Sequence, residues 1–410
     1  MKNTNYNRIS KLFIILIGLF FFRVSAQDSV RVMSYNLMLF PDGTDYSRTS
    51  YLRAILETYR PDIFAVCEVE TAAAADTVLY RALKPLNSAY EAAQFEWCHS
   101  NPNSTLQQML FYNSDKLELV SQTYLTTSIR DINHYTLALK TADIDTVFVD
   151  VYVLHLKASS GDVNEQKRLE MVDILTADLA NIPAGHYVLV AGDFNLYYSD
   201  EPAYRELIDT TNAIILKDPV NRPGYWHNNS SFADLHTQSP NVNKGGNFVG
   251  GGLDDRFDFI LVSQELMQTQ GDLYYRRGSY SAYGNNGNCF NDDINDSQCS
   301  GFYPQTLRNN LWEMSDHIPV VLTLYTDRIF DVKETRLSKF AIYPNPATDF
   351  IHVENLQVPQ LFYISDVSGK ILKTKTLRND ENWYIGDLKP GIYYVTSPQA
   401  VFRPVPFIKD

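Results

Sequence analysis

Cysteine is scarce in this chain, four in 410 residues. None of the four stands in a Cys-x-x-Cys or similar ligand spacing, which argues against a zinc site. Basic charge is also in deficit: 35 Lys and Arg stand against 48 Asp and Glu, for a formal net charge of -13. That balance excludes a protein that coats itself in nucleic acid through a general basic surface. A phosphodiester substrate stays open, because charges more than about 8–10 Å apart are largely screened at physiological salt and the local charge of a cleft outweighs the total. Long apolar runs are missing after the first residues, so no later segment is fit to span a bilayer as a helix.

The N-terminus places Lys2, Arg8 and Lys11 ahead of the apolar run Leu12 to Phe22, with small residues at Val24-Ser25-Ala26. The run is roughly half of the ~20 residues a membrane span needs. Residues 1–26 therefore read as a signal peptide in place of an anchor, with the mature chain starting near Gln27. Export makes disulfides possible. Cys289 and Cys299 bracket the polar stretch NDDINDSQ, where a local bridge would restrain an excursion. Cys67 and Cys98 lie on strand-like segments, and for them a bond and two buried thiols are both open.

With 45% hydrophobic residues over this length, two domains are expected. From Val30 to about Tyr325 strand-like runs alternate with amphipathic helices. VRVMSYNLM is followed by Tyr51, Leu52, Ile55, Leu56 and Tyr59 at helical spacing, ended by Pro61. Later strands are expected at Ile63 to Val69, MLFYN, YTLALK, TVFVDVYVLHLK and YVLVAGDFN, with a helix from Asn164 to Leu179. This order fits an α/β four-layer sandwich, two mixed β-sheets face to face with helices outside, over residues 28–326. Two loops interrupt it, Asn241 to Gly252 and Arg276 to Asn310, each a solvated surface or a shaper of substrate choice. A charged linker, 327–339, precedes residues 340–410, whose short strands between Pro, Gly and Asp turns describe a small all-β, immunoglobulin-like domain.

Four motifs far apart in the chain each set polar residues at the end of an apolar run: Asn36 in VMSYNLM, Glu68 in PDIFAVCEVE, Gly192-Asp193-Phe194-Asn195 after YVLVA, and Ser315-Asp316-His317 before IPVVLTL. A lone strand-end Asn is usually a turn former. Glu68 has the better independent case, because a carboxylate on an otherwise buried strand needs a partner, and a hard cation supplies one. Asp193 and Asn195, two apart in an extended segment, should face one pocket, with Gly192 allowing close backbone approach. His155, closing VYVLHLK, would by itself more often be a core histidine.

Taken in order, these motifs resemble the endonuclease/exonuclease/phosphatase superfamily, which includes deoxyribonucleases, abasic-site nucleases, sphingomyelinases and inositol-phosphate phosphatases. The resemblance implies that Glu68, Asp316 and Asn36 bind Mg²⁺, with Mn²⁺ or Ca²⁺ as alternatives. It implies that Asn36 and Arg130 contact the phosphate, and that His155 and His317 stabilise charge on it. Asp193, with Asn195, aligns and deprotonates a water, and Asp258 in DDRFDFI supports His317; a carboxylate-supported histidine is the alternative base. Glu70 is at most an outer neighbour of the site.

AGDFNLYYS lacks the tryptophan and arginine that inositol-polyphosphate phosphatases carry around this point, which favours the nuclease and sphingomyelinase side. Where the deoxyribonuclease branch offers a Glu partner to its first histidine, this chain reads Trp97-Cys98-His99-Ser100, leaving His155 without an identified partner. The leading expectation is a secreted endonuclease acting on extracellular DNA. The alternatives are a sphingomyelinase-like phosphodiesterase and an inactive surface binding protein. Tyr343-Pro344-Asn345-Pro346-Ala347-Thr348-Asp349, followed by DVSGK and LKPGIYYV, resembles the C-terminal sorting domain of the type IX secretion system of Bacteroidota, which implies that machinery as a partner and a secreted or surface-attached protein. An immunoglobulin-like binding module is the competing reading of the tail.

Overall fold

Strand alternation sorts the first apolar run into two cores. In β1 (Asp28–Phe40), Val30 and Val32 join one buried cluster while Met33, Tyr35 and Leu37 join another on the opposite face. The computed structural model describes residues 28–269, 271–330, 341–354, 356, 359–397 and 404–410. The expected signal peptide and residues 331–339 of the expected linker lie outside them.

Helix α1 (Thr49–Tyr59) closes at Arg60, whose left-handed φ of 54° ends it one residue before Pro61. The chain continues through β2 (Ile63–Val69), α2 (Ala72–Thr77), β3 (Tyr90–Ala92), β4 (Gln107–Asn113), β5 (Leu117–Leu125), β6 (Ile132–Leu139) and β7 (Phe148–His155). Next come α3 (Asp162–Leu179), β8 (Tyr187–Asp193), α4 (Pro202–Leu207), β9 (Leu216–Lys217) and β10 (Asp258–Ser263). The unit ends with β11 (Tyr274–Tyr275), β12 (Ser281–Ala282), α5 (Gln305–Met314) and β13 (Val320–Thr326). One sheet has the order β11-β13-β1-β2-β4-β3, with β12 also on β13, and the other β5-β6-β7-β8-β10-β9.

Three apolar cores separate four layers. Between the sheets lie Val32, Ile63 and Leu110 from one and Val151, Val153, Leu189 and Ile260 from the other. Leu52, Ile55 and Leu56 of α1 and Leu307, Leu311 and Met314 of α5 cover the outer face of the first sheet. Met171, Val172, Leu175 and Leu179 of α3 cover that of the second. Central strands buried on both faces read as continuous apolar runs, which is why a polar residue at their ends stands out in the sequence.

The pairing sets where those ends meet. β1 runs parallel to β2 and β7 parallel to β8, so their C-terminal ends share an edge of each sheet. β10 and β13 are antiparallel to β8 and β1, so they begin at that edge. Gly192 permits the close approach there: at its φ of +143° a Cβ would lie 1.9 Å from the carbonyl oxygen of Leu154.

Cys289 and Cys299 form a disulfide with their Cα atoms 5.2 Å apart, so the bridge expected across the 276–310 loop is present. Cys67 and Cys98 are free and buried, which settles that alternative as two thiols. The first residues of the expected linker pack on the unit before it. Phe330 is buried and its amide donates to Asp28, while Arg328 pairs with Asp143 and Asp272. Beyond residue 341 the chain forms a three-stranded antiparallel sheet (Ala341–Tyr343, Phe350–Glu354, Asn382–Tyr384) and a four-stranded one (Gln360–Ser365, Ile371–Leu377, Gly391–Thr396, Val405–Lys409). Ile351, Val353, Phe362, Trp383 and Val395 form their shared core, the small all-β sandwich expected from the turn spacing.

Candidate active site

Strand register lines up three of the polar residues. His155 at the end of β7 pairs with Asp193 at the end of β8, and Asp193 pairs with Asp258 at the start of β10. Asn36 of β1 directs its Nδ2 to Glu68 Oε1 on the neighbouring β2 at 3.0 Å and, across the gap between the sheets, to Asp193 Oδ2 at 3.1 Å. Its Oδ1 accepts the Met38 amide at 2.9 Å, so Asn36 uses both ends of its amide to hold carboxylates and backbone in place. His155 Nε2 lies 3.9 Å from Glu68 and 3.5 Å from Asp193, and His317 Nε2 lies 3.7 Å from Asp193. Residues from both sheets thus meet at one point.

Glu68 sits where β2 breaks register with both neighbours, and its φ is +63°. A left-handed conformation is uncommon for a residue with a side chain and costs energy that the surroundings must offset. Here the turned-out carboxylate accepts the Leu39 amide at 2.9 Å through its other oxygen. Asn195 is also left-handed, at +51°. The extended geometry expected for Asp193 and Asn195 is therefore replaced by a turn, closed by the Asn195 amide donating to Asp193 Oδ1 at 3.0 Å. Asn195 Nδ2 donates to the Leu156 carbonyl at 3.3 Å, so the pair shares the pocket through the turn and not through strand alternation.

Ionisation follows from burial and neighbours. The Asp193 carboxyl is pushed up to about 7, chiefly by burial, with Asp258 and Glu68 adding to the shift and His317 and the Asn36 hydrogen bond opposing it. Burial raises Asp316 as well. His155 is held well below its ordinary range, first by burial and then by Arg130, so it is neutral at pH 7. Burial also works against charge on His317, yet Asp258, whose Oδ2 is 2.7 Å from Nδ1, together with Asp193, raises it well above its ordinary range. A neutral and a charged imidazole therefore flank one carboxyl.

Arg130 donates through one nitrogen to the carbonyls of His155 and Leu156 at 3.3 and 3.0 Å and lies within electrostatic reach of Glu68 and Asp193. Asp316 Oδ2 accepts the Val249 amide at 3.1 Å, which brings the glycine-rich loop Asn241 to Gly252 onto the site. Glu70 points away, accepting the amides of Asp42 and Gly43. His155 Nδ1 has no hydrogen-bond partner among the described residues, in keeping with the missing Glu partner. Near that point in the sequence, His99 instead pairs with Asp131 and stacks on Tyr124.

Two residues, Gln238 and Arg48, escaped the motif reading, and a third, Ser315, sits in a motif without an assigned role. Gln238 places its side-chain amide 2.8 Å from His317 Nε2. Arg48, at the start of α1, donates to the carbonyls of Leu37, Met38 and Met314 and so ties the end of β1 to the end of α5. Ser315 donates to the Asn36 carbonyl and accepts the His317 amide, which joins the first motif to the last. Gln238 and Arg48 sit in segments without periodicity, and only Ser315 carried a signal, as part of its motif.

One ligand atom each from Glu68, His155 and Asp193 lie within 4.8 Å of one another. Two carboxylates and a neutral imidazole beside a further acid, Asp316, fit a divalent cation such as Mg²⁺ or Mn²⁺, which also relieves the crowding of buried acids. Residues 33–317 match the family model of the endonuclease/exonuclease/phosphatase family, and residues 341–400 match that of the secretion system C-terminal sorting domain. No curated protein matches the chain. Among solved structures it is similar to D. rerio TDP2 complexed with single strand DNA product, at 16% identity over 73% of this chain and 100% of that one, with a TM-score of 0.49. It is also similar to the catalytic domain of human Nocturnin with bound sulfate, at 18% identity over 73% and 95%, with a TM-score of 0.44. A third is the endonuclease/exonuclease/phosphatase from Bacteroides vulgatus, at 14% identity over 73% and 100%, with a TM-score of 0.46.

Proposed function

From a chain that belongs to the endonuclease/exonuclease/phosphatase family, and whose sorting domain marks it as secreted or surface-attached, we propose a metal-dependent phosphodiester hydrolase, an endonuclease acting on extracellular DNA. The observation that carries this is the convergence of Asn36, Glu68, His155, Asp193 and His317 within hydrogen-bonding or ion-pair distance across two sheets. Glu68, with His155 and Asp316 near it, would hold a divalent cation, which would supply positive charge for a phosphodiester substrate. Asp193, whose carboxyl burial raises to about 7, takes the proton of the attacking water that Asn195 orients, while the bond from phosphorus to the leaving oxygen breaks and that oxygen takes a proton from solvent. His317, kept charged by Asp258, and the Arg130 guanidinium stabilise the negative charge that builds on the phosphoryl group. Asn36 keeps the two carboxylates in position while this occurs.

The absence of tryptophan and arginine around GDFN supports a nuclease or a sphingomyelinase-like phosphodiesterase over an inositol-polyphosphate phosphatase. The test is a panel of plasmid DNA, RNA and sphingomyelin offered to the purified protein with Mg²⁺, Mn²⁺ or Ca²⁺. Nicking of the plasmid at a rate well above sphingomyelin turnover is expected. Hydrolysis of sphingomyelin alone would transfer the assignment to a lipid headgroup, and no turnover of any of the three would leave a binding protein.

The tail carries none of the site residues. Removing 341–410 while keeping the packed residues up to Phe330 should leave specific activity within a factor of a few. The shortened protein should accumulate in the periplasm of its native host. A folded but inactive product, or one still exported, would overturn that division of labour.

A further inference from the structure

A second feature stands on the elements that lead to the site. A groove of about 610 Å³ opens between the end of α1, the segment 276–283 and the start of α5. Its aromatic wall is a ladder of edge-on rings: Tyr59 on Tyr283 at 5.3 Å, Tyr283 on Tyr303 at 5.1 Å, and Tyr303 on Phe302 at 5.0 Å. Phe302, at the outer rung, is 90% exposed. Arg276 and Arg277 line the same groove and are exposed. Among the described residues neither pairs with a carboxylate, whereas Arg328 pairs with two. Two guanidinium groups without a carboxylate partner among the described residues, Arg276 lying 5.5 Å from the Tyr325 ring, are notable beside an uncovered phenyl ring on a chain of net charge -13.

We infer that this groove is an exosite for a single-stranded stretch of polynucleotide, with a base stacked on Phe302 and backbone phosphates held by Arg276 and Arg277. Base stacking on aromatic rings combined with cationic contacts to the backbone is the general means by which proteins hold single strands without reading sequence. A bilayer surface fits less well, because Phe302 flanks a concavity lined by Thr58, Ser279, Ser281 and Thr323, hydroxyl-bearing residues that suit a polar strand.

Groove and site lie towards opposite ends of the same two elements. Val321 and Thr323 of β13 line the groove four and six residues after His317, which at ~3.3 Å per strand residue is about 13–20 Å. α5 covers the same interval, from Pro304 at the groove to Ser315 at the site, with about 15 Å of helical rise. A single strand of a few nucleotides is long enough to bridge that distance. The exosite would therefore bind the substrate several nucleotides from the cut and favour long chains over short ones. It also gives the 276–310 loop, stapled by its disulfide, a role in substrate choice.

This inference rests on the reading of the site as a nucleic-acid phosphodiesterase, and the experiment separates the two. Binding of a 20-nucleotide oligothymidylate to the full chain in chelator would be measured against salt for the wild type, the double variant Arg276→Ala/Arg277→Ala, and Phe302→Ala. Hydrolysis of the small diester bis(p-nitrophenyl) phosphate would be followed in parallel with Mg²⁺. The double variant should bind at least about tenfold more weakly at low salt, and its slope of log K against log salt should be shallower by about 1.4, two phosphates at ~0.7 each. Phe302→Ala should cost about fivefold or more in affinity. Small-diester hydrolysis should be unchanged in both, and its absence in the wild type would sink the catalytic reading while leaving the binding result to judge the groove. Unchanged oligonucleotide affinity and slope would overturn the exosite, as would loss of binding to phosphatidylglycerol vesicles alone, which would make the patch a membrane contact.

Discussion

Asp193→Ala should lower turnover by at least about 100-fold, and His317→Ala by a similar factor, the range expected for a general base and for a group that stabilises developing charge. Asp193 is the hub of the site: Asn36, the Asn195 amide, His155 and His317 all reach its carboxylate. Fold stability should survive its loss. In the metal-free protein the raised Asp193 pKa means that the folded state disfavours its ionised form, a penalty that grows as pH climbs from the ordinary carboxylate range through about 7. In chelator, then, the stability of Asp193→Asn relative to wild type should improve across that window. Near-wild-type turnover in both alanine variants, with unchanged thermal midpoints, would show that the site has been assigned to the wrong residues.

Asp218→Ala should destabilise the protein by about 3–5 kcal/mol, because it strands a buried charge. Arg256 makes a two-pronged contact with Asp218, 2.8 Å from Nη1 and 2.9 Å from Nη2, with both side chains almost fully buried. The guanidinium also lies over the Phe259 ring at 4.2 Å and the Trp226 ring at 5.2 Å. Two residues later the chain enters β10 at Asp258, the support of His317, so this pair fixes the entry of a site strand as well as filling the core. Thermal unfolding should show a midpoint lowered by roughly 6–15 °C. A loss under about 1 kcal/mol would mean that the pair is dispensable and that apolar packing alone holds the entry to β10.

The parts of the site that could be read from the chain are those where a buried strand ends in a polar residue. Glu68, His155 and Asp193 each close an apolar run, and burial on both faces makes such endings conspicuous. The helices followed for the same reason: Leu52, Ile55 and Leu56 recur with the helical period and do face the core. What escaped depends on backbone conformations that side-chain pattern does not encode. The left-handed turns at Glu68 and Asn195 set the directions of both groups, and strand alternation predicts neither. Contacts between segments far apart in sequence were equally hidden. Gln238 meets His317 from 79 positions away, and Arg48 meets the Met314 carbonyl from 266. The burial of Phe330 was hidden as well, because one apolar residue within a charged segment gives no period to detect.

The measurement that bears most directly on the account is the initial rate of plasmid hydrolysis as a function of divalent metal, for wild type and Glu68→Gln. The Glu68 carboxylate accepts from Asn36 and Leu39, so the isosteric amide keeps the side-chain volume and one of these two contacts while removing the charge. The account predicts no turnover in excess chelator, recovery on adding Mg²⁺ or Mn²⁺, and a half-maximal metal concentration raised at least about tenfold in Glu68→Gln. Full turnover by the wild type in excess chelator, or superimposable metal curves for the two proteins, would contradict it.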